Sequence, residues 1–452
     1  MKFKIKSIFN SLILFIVLVI IIYIYISNAN ILNTINTNVI ISFVFVGIIT
    51  IINILTDKRK FSLNKTFWYF NLFFLFLAPL LQYISNYHMW GYNISNELYI
   101  KTNFWIIVWM LIYSFVNKVL KIEIKSKHEK KKIIINKRTL NMFFIISIVA
   151  LVLGIALIGF SSLFVRNENN VDLGADNIST IVVSFIRTIP VYATLYAIYY
   201  YQKNKRGILY LIILFIITFI LNYPVSVTRY WVGAVYIGLM IVMLRNKIKN
   251  KTFDIGMIGV FAIAFPMFQL FKWYNLTDLI NGNVEIKNLM NVYNNADFDA
   301  YTMFSRAFLY VEDNSITYGK QLFSSIFFFI PRSIWSTKSI PSGQLIAEAQ
   351  GQWFTNLSCP LIAEGYINFG YLGIVIYAFL IGIGIKYLDN LYWNKEKDTV
   401  TVIDFVYPFC IGLLIFLLRG AFHPVIVYTF SFFLFIIVWR MCSKIIRLLK
   451  LK

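Results

Sequence analysis

Twelve stretches of this chain are apolar over a length that crosses about 30 Å of hydrocarbon as an α-helix, and this leaves it few folds. They fall near residues 8–27, 38–55, 66–84, 103–120, 140–164, 179–201, 207–223, 230–244, 254–271, 366–385, 402–419 and 423–439. A backbone in lipid must satisfy its own N–H and C=O groups, so runs of this length read as helices. With 59% of 452 residues hydrophobic and only 14% charged, a soluble domain is excluded. The composition predicts one all-α, polytopic membrane domain of about 12 transmembrane helices. The first run follows Lys2, Lys4 and Lys6 and lacks a small-residue cleavage site, so it reads as a retained span.

Charge orients the spans. With the N-terminus inside, the inner segments hold 31 of the 42 lysines and arginines. That bias recurs at every alternate loop, as the positive-inside rule demands, and it predicts cytoplasmic N and C termini. The net charge of +22 therefore reflects topology; the basic residues are not interleaved with stacking aromatics on a soluble module, and nucleic acid is not an expected partner. The segment from Lys118 to Arg138 reads as a loop facing lipid headgroups, with a cytoplasmic partner site as the alternative. No internal repeat supports an inverted-repeat transporter. The three cysteines give no disulfide or metal framework, and no Walker loop, zincin helix, dinucleotide fingerprint or nucleophile elbow occurs.

Between the ninth and tenth spans lies the one long, mostly polar stretch, the loop 272–365, which this topology places outside the cytoplasm. Within it Asp278–Leu289 reads as a short helix, while Ser305–Leu309 and Gln321–Phe329 are apolar enough for the interface. Pro331, Pro341 and Pro360 punctuate it, so re-entrant or interfacial helices packed over the bundle are expected.

Several cations stand out against the charge bias. Arg187 lies about two helical turns inside a span, where an arginine costs at least ~2.5 kcal/mol unless it faces a polar cavity; an ion pair with Asp176 or snorkelling outward are the competing readings. Arg229 ends the proline-broken turn Asn222–Arg229, beside Tyr230 and Trp231. Arg306, Arg332 and Lys338 lie in the long loop, and Arg419 precedes His423 at the last outer turn. Guanidinium groups grip phosphate oxygens bidentately and keep their charge in a dry cleft, so a cluster of them suits a diphosphate better than a neutral sugar. Where the loop enters the tenth span, Glu364 and Asn368 are one helical turn apart and would face one cavity, with Tyr366 between them. The competing reading is an entry helix with an exposed acid and glycines for close packing. Glu348, Asp297, Asp299 and Glu312 are alternative carboxylates.

Three of these motifs, Pro224-x-x-x-x-Arg229, Pro331-Arg332-x-x-Trp335-x-x-Lys338 and Glu364-Gly-Tyr-x-Asn-Phe-Gly370, resemble the bacterial oligosaccharide repeat unit polymerases, the Wzy-type or O-antigen polymerases. The resemblance extends over most of the chain from about residue 140 onward; Ser339-Ile340 departs from it, a proline being expected sooner after Lys338. It implies a glycosyltransferase of the bacterial cytoplasmic membrane that uses undecaprenyl-diphosphate-linked oligosaccharide as donor and acceptor at the outer face. On this reading Glu364, Arg332 and Arg229 are catalytic, and Arg187, Arg306, Lys338, Tyr366, Asn368 and Arg419 bind substrate. No metal or cofactor is implied; membrane lipids, a flippase and a chain-length regulator are the implied companions. A polysaccharide ligase using the same donor and a lipid-linked oligosaccharide flippase are the rival readings. For the topology, cysteines introduced singly within 272–365 are expected to react with a membrane-impermeant maleimide on intact cells. Cysteines introduced within 121–131 are expected to react only after lysis, and the reverse pattern would overturn the orientation.

Overall fold

A polar residue stands just ahead of each of several apolar runs and starts a helix there. Asn36 accepts the N–H of Asn38, Ser62 that of Lys65, Ser95 that of Leu98 and Asn136 that of Thr139, each satisfying a donor the helix leaves open. The computed structural model describes residues 35–120, 132–164, 177–245, 247–264, 293–396 and 399–449. The helices so begun are α1 (Thr37–Thr56), α2 (Leu63–Ile84), α3 (Asn96–Val119) and α4 (Lys137–Ile158). They are followed by α5 (Asn177–Asn204), α6 (Ile208–Leu221), α7 (Arg229–Leu244) and α8 (Asn250–Gly259). The segment 293–360 contributes α9 (Ala300–Asn314), α10 (Lys320–Ile326) and α11 (Ser342–Ala349). Then come α12 (Leu361–Trp393), α13 (Val402–Arg419) and α14 (Phe422–Leu449). Among the described residues there is no strand.

Eight of these helices, α1 to α5 and α12 to α14, are long and apolar enough to cross a membrane. Helices α6 and α7 are apolar but shorter. Helix α6 has 14 residues and is about 21 Å long; it stops at Leu221 because Asn222 turns its side-chain amide back to Thr218 O (3.1 Å) and Pro224 follows. The expected span near 8–27, the end of the one near 254–271, Asp278–Leu289 and Asp176 lie outside the described residues.

Two apolar cores meet along α13 and α7. Residues of α1, α2, α3, α9 and α12 form the first, and residues of α4, α5, α6, α7 and α14 the second. Helix α13 serves both: Phe405, Phe409 and Leu413, four apart, face the second core, and Tyr407, Ile411, Leu414 and Leu418 face the first. Helix α2 is the interior element, with 94% of its apolar window buried. Helix α7 meets α13 backbone to backbone. A Cβ on Gly412 would stand 2.4 Å from the nitrogen of Ala234 and 2.6 Å from the carbonyl carbon of Gly233.

Charges gather at the two ends of the bundle. At one end basic residues are tied to carboxylates: Arg59 to buried Asp389 (2.7 Å), buried Lys65 of α2 to half-buried Asp254 (2.9 Å), and both Arg245 (3.3 Å) and Lys395 to buried Asp404. At the other end lies the segment 293–360, reached by the end of α2, where Gln82 donates to Tyr293 O (2.8 Å). Its helices differ in depth. Helix α9 is buried from Ala300 to Phe308, whereas α10 and the turn after it leave Phe323, Ile326 and Phe329 exposed. Gly412→Ala is expected to destabilise the fold by about 1–3 kcal/mol, because the extra methyl meets backbone that cannot yield. Gly384→Ala, with nothing within 4 Å of the added Cβ, should leave the melting midpoint in detergent unchanged; equal midpoints for the two variants would refute the close crossing.

Candidate functional site

The segment that precedes α9 reads Asn294-Asn295-Ala-Asp297-Phe-Asp299, a run of short polar side chains of the kind that close local turns. Asn295 accepts the N–H of Asp297 (2.8 Å) and closes a single 3₁₀ turn, Ala296–Phe298. That turn offers two carbonyls and two carboxylates to the ends of two apolar helices, α7 and α13. Arg229, the first residue of α7, forms an ion pair with Asp297. Arg419, the last residue of α13, donates to Asp297 O (2.8 Å), Ala296 O (2.6 Å) and Asp299 Oδ1 (3.0 Å), and also to the Tyr230 hydroxyl. Tyr230 in turn stacks on Phe416 with ring centroids 4.3 Å apart. Two arginines and two aspartates from three distant parts of the chain thus make one knot.

Asp299 is 1% exposed and is the knot's inner member. Besides Arg419 it accepts from Ser358 Oγ (2.6 Å) and Trp90 Nε1 (3.3 Å). Trp90 holds a left-handed backbone, φ +58°, a conformation that costs a non-glycine residue of order 1–3 kcal/mol and tends to persist at functional positions. Its indole stacks on Phe354 at 5.7 Å, with Trp353 beside Phe354 and 88% exposed.

Arg306 lies in α9 at 1% exposure. Its Nε donates to Gln350, whose amide returns a bond to Arg306 O (3.2 Å), and its guanidinium lies 5.7 Å over the Tyr92 ring. Nη1 has no partner among the described residues. Burial pushes the Arg306 guanidinium below its ordinary range, against the pull of Tyr92 and Asp299. Arg187 in α5 is also buried with Nη1 unpartnered among the described residues. Its carbonyl accepts from Asn222 Nδ2 (3.0 Å), and Asn222 Oδ1 accepts from Trp231 Nε1 (2.7 Å), which links it to the first turns of α7.

The remaining candidates are held by structural partners. Helix α12 breaks at Phe369 and Gly370, where Gly370 takes φ +62°, and the segment 361–368 folds back on 371–393. The fold-back brings Gly365 and Gly373 together so closely that a Cβ on Gly373 would meet the Gly365 carbonyl oxygen at 1.8 Å. Carbonyls freed by the break are met from the preceding loop: Thr317 N donates to Ile367 O (2.8 Å) and Gly319 N to Asn368 O (3.2 Å). Glu364 is sealed at 1% exposure, accepting from Ser342 Oγ (2.7 Å) and from Phe422 N (2.8 Å). It thereby caps the start of α14 from another helix. Asn368 accepts from Leu322 N (3.0 Å) and so holds α10 instead. Tyr366 packs against Phe308 (4.7 Å) and Tyr371 (5.1 Å).

Arg332 is exposed and donates to Lys338 O (2.7 Å) and Ser339 O (3.1 Å), closing the 331–339 turn. Lys338 is buried, its ammonium donating to Phe327 O (3.1 Å), Phe328 O (2.8 Å) and Ile330 O (2.9 Å). Burial and, after it, Arg332 push that ammonium below its ordinary range. His423 lies within electrostatic reach of both, and its Nδ1 has no partner among the described residues.

Of the four alternative carboxylates, Asp297 and Asp299 form the knot, whereas Glu312 pairs at the surface with Lys101 (2.8 Å) and Glu348 accepts from Gln344 (2.7 Å). Trp90, Tyr92, Ser342, Gln350, Trp353 and Ser358 were not singled out from sequence. Their one local sign is the pair of aromatic clusters Tyr87 to Tyr92 and Trp353-Phe354. No protein-family model matches this chain, and no curated protein or solved structure matches it either.

The two ion pairs of the knot differ in depth, with side-chain exposures of 8% and 1% for Arg419–Asp299 against 19% and 17% for Arg229–Asp297. Neutralising one member of a fully buried pair leaves the other charge stranded, at about 3–5 kcal/mol. Asp299→Asn is therefore expected to lower the melting midpoint well below that of Asp297→Asn. A smaller effect for Asp299→Asn would remove Arg419–Asp299 as the anchor of this site.

Proposed function

We propose that this chain is a glycosyltransferase of the bacterial cytoplasmic membrane that polymerises oligosaccharide repeat units carried on undecaprenyl diphosphate. The observation that carries the reading is two buried guanidiniums, each with an Nη1 lacking a partner among the described residues: Arg306, within electrostatic reach of Asp299 of the knot, and Arg187, tied through Asn222 and Trp231 to the first turn of α7. A buried donor without an acceptor is costly, and a buried cation more so. A fold that keeps both has a use for them when an anion arrives. A diphosphate whose tail lies in the bilayer brings several oxygens to the membrane boundary, and guanidinium groups match that geometry. The aromatic cluster of Trp90, Tyr92, Trp353 and Phe354 supplies the flat apolar faces against which sugar rings pack.

In the reaction so inferred, a hydroxyl on one lipid-linked repeat unit attacks the anomeric carbon of the glycan on a second lipid. The bond from that carbon to the diphosphate oxygen breaks, undecaprenyl diphosphate departs with the bonding electrons, and the hydroxyl proton passes to the released diphosphate or to solvent. Charge grows on the departing diphosphate, and donors already fixed around it stabilise the transition state without reorganising. Holding two tethered substrates in register supplies the rest. Glu364, with both oxygens accepting from Ser342 and Phe422, acts in this scheme as a positioning residue for α14, and Arg332 as one for the 331–339 turn.

A flippase reading asks for charged groups along a passage between the two ends. Among the described residues, the part of α2 from Asn71 to Gln82 crosses the interior of the bundle buried and without a charged side chain. A ligase differs only in acceptor. Protein reconstituted with synthetic lipid-linked repeat units separates the three: a ladder of lipid-linked lengths supports polymerisation, transfer to a foreign acceptor indicates a ligase, and no new glycosidic bond indicates a carrier. Arg306→Gln and Arg187→Gln are expected to slow laddering by about 10²–10³-fold while the protein still inserts, the size seen when one preorganised donor is lost. Full activity in both variants would remove the diphosphate assignment.

A further inference from the structure

At the end of the bundle away from the arginine–aspartate knot, α1, α2 and α3 part around a cavity of about 470 Å³. Its inner wall is a closed polar network. Asn64 Oδ1 accepts from Tyr113 Oη (2.9 Å) and Trp68 Nε1 (3.2 Å), Asn53 Oδ1 accepts from Ser114 Oγ (3.2 Å), and Asn64 Nδ2 donates to Asp57 Oδ2 (2.9 Å). Asp57 also accepts from Ser62 Oγ (2.7 Å) and Arg59 N (2.9 Å), so the one carboxylate in the lining is turned inward. The mouth is cationic. Lys58, Arg59 and Lys118 line it, and Lys386 reaches its edge through Asn117 O (2.6 Å). Of these, Arg59 is also held by Asp389, while Lys58 and Lys118 are exposed.

The flanks of this cavity are of opposite character. On α1, Ile48 and Ile52 are 48% and 51% exposed, and on α3, Leu111, Phe115 and Val119 are 53%, 58% and 58% exposed. These apolar stripes run along the two membrane-spanning helices to the cationic mouth. A ligand that fits both features has an anionic head and long hydrocarbon chains. We infer that the cavity seats the phosphate headgroup of an anionic membrane phospholipid whose acyl chains lie along α1 and α3. Cationic pockets between transmembrane helices at the level of the headgroups suit such lipids on electrostatic grounds, and the volume falls in the range of small-molecule sites. The amide and indole wall behind the lysines, in which the Asp57 carboxylate is engaged by Arg59 N, Ser62 and Asn64, accommodates the glycerol and its esters.

The inference does not depend on the transfer reaction, since the cavity and the knot lie at opposite ends and either assignment can fail alone. The test is native mass spectrometry of the full chain in detergent, offered equal amounts of phosphatidylglycerol and phosphatidylcholine. Phosphatidylglycerol adducts are expected to dominate, and Lys58→Gln with Lys118→Gln to cut them about tenfold, as the loss of two headgroup-facing lysines implies. The control pair Lys203→Gln with Lys205→Gln, two exposed lysines in the last turn of α5 and just after it, should leave the adducts unchanged, and equal melting midpoints establish that both proteins are folded. Retention without preference for the anionic lipid, an equal loss in both pairs, or displacement of the preference by inorganic phosphate would each overturn the inference.

Discussion

A guanidinium and a carboxylate sealed from solvent, Arg419 against Asp299, are the constraint on which the site end of the bundle depends. A buried ion pair contributes little net stability, because desolvating two charges offsets most of their attraction, yet breaking it is costly. Its effect is therefore to specify one arrangement. Arg419 ends α13, a helix shared by both cores, so the pair fixes the turn 295–299 relative to the whole bundle. Through Asp299 the same pair reaches Ser358 and Trp90, two loops that carry the exposed aromatic rings. Arg229 and Tyr230, at the start of α7, close the knot from the other side. Arg306, within electrostatic reach of Asp299, and Arg187, tied to the first turn of α7 through Asn222 and Trp231, each keep an Nη1 without a partner among the described residues.

The helices were largely legible in the sequence because lipid imposes a simple rule: an apolar run of sufficient length must become a helix. The rule is silent about where a run is cut short, and Asn222 with Pro224 trims α6 below the length of its apolar stretch. It is equally silent about folding back. Glu364 and Asn368 do lie one turn apart, as their spacing predicts, yet each holds a different neighbour, α14 for one and α10 for the other. The cause is the break at Phe369 and Gly370, which a continuous apolar pattern conceals. The glycines at 365, 370 and 373 carried that information, since two of them permit the close approach and the third the turn.

The two cations of the knot, Arg229 and Arg419, stand out in the sequence, and their partners do not. An arginine against the charge bias can be noticed from one residue, whereas the acids that hold Arg229 and Arg419 lie 68 and 120 residues away in the chain. Asp297 and Asp299 stood among four candidate carboxylates with nothing local to rank them. Burial ranks them, because only these two meet arginines beneath the surface. The opposite end tells the same story, where Arg59, Lys65, Arg245 and Lys395, counted in sequence only toward the charge bias, are matched to Asp389, Asp254 and Asp404.

The chemistry inferred for this frame reduces to one physical statement, that donors held fixed and short of acceptors receive the diphosphate of a lipid-linked sugar. A structure of the full chain with undecaprenyl diphosphate bound tests that statement most directly. The account expects diphosphate oxygens within hydrogen-bond distance of Arg306 Nη1 and Arg187 Nη1, with the Arg419–Asp299 pair intact beside them. A diphosphate bound elsewhere on the protein, with both of these guanidiniums still unpartnered, would contradict it.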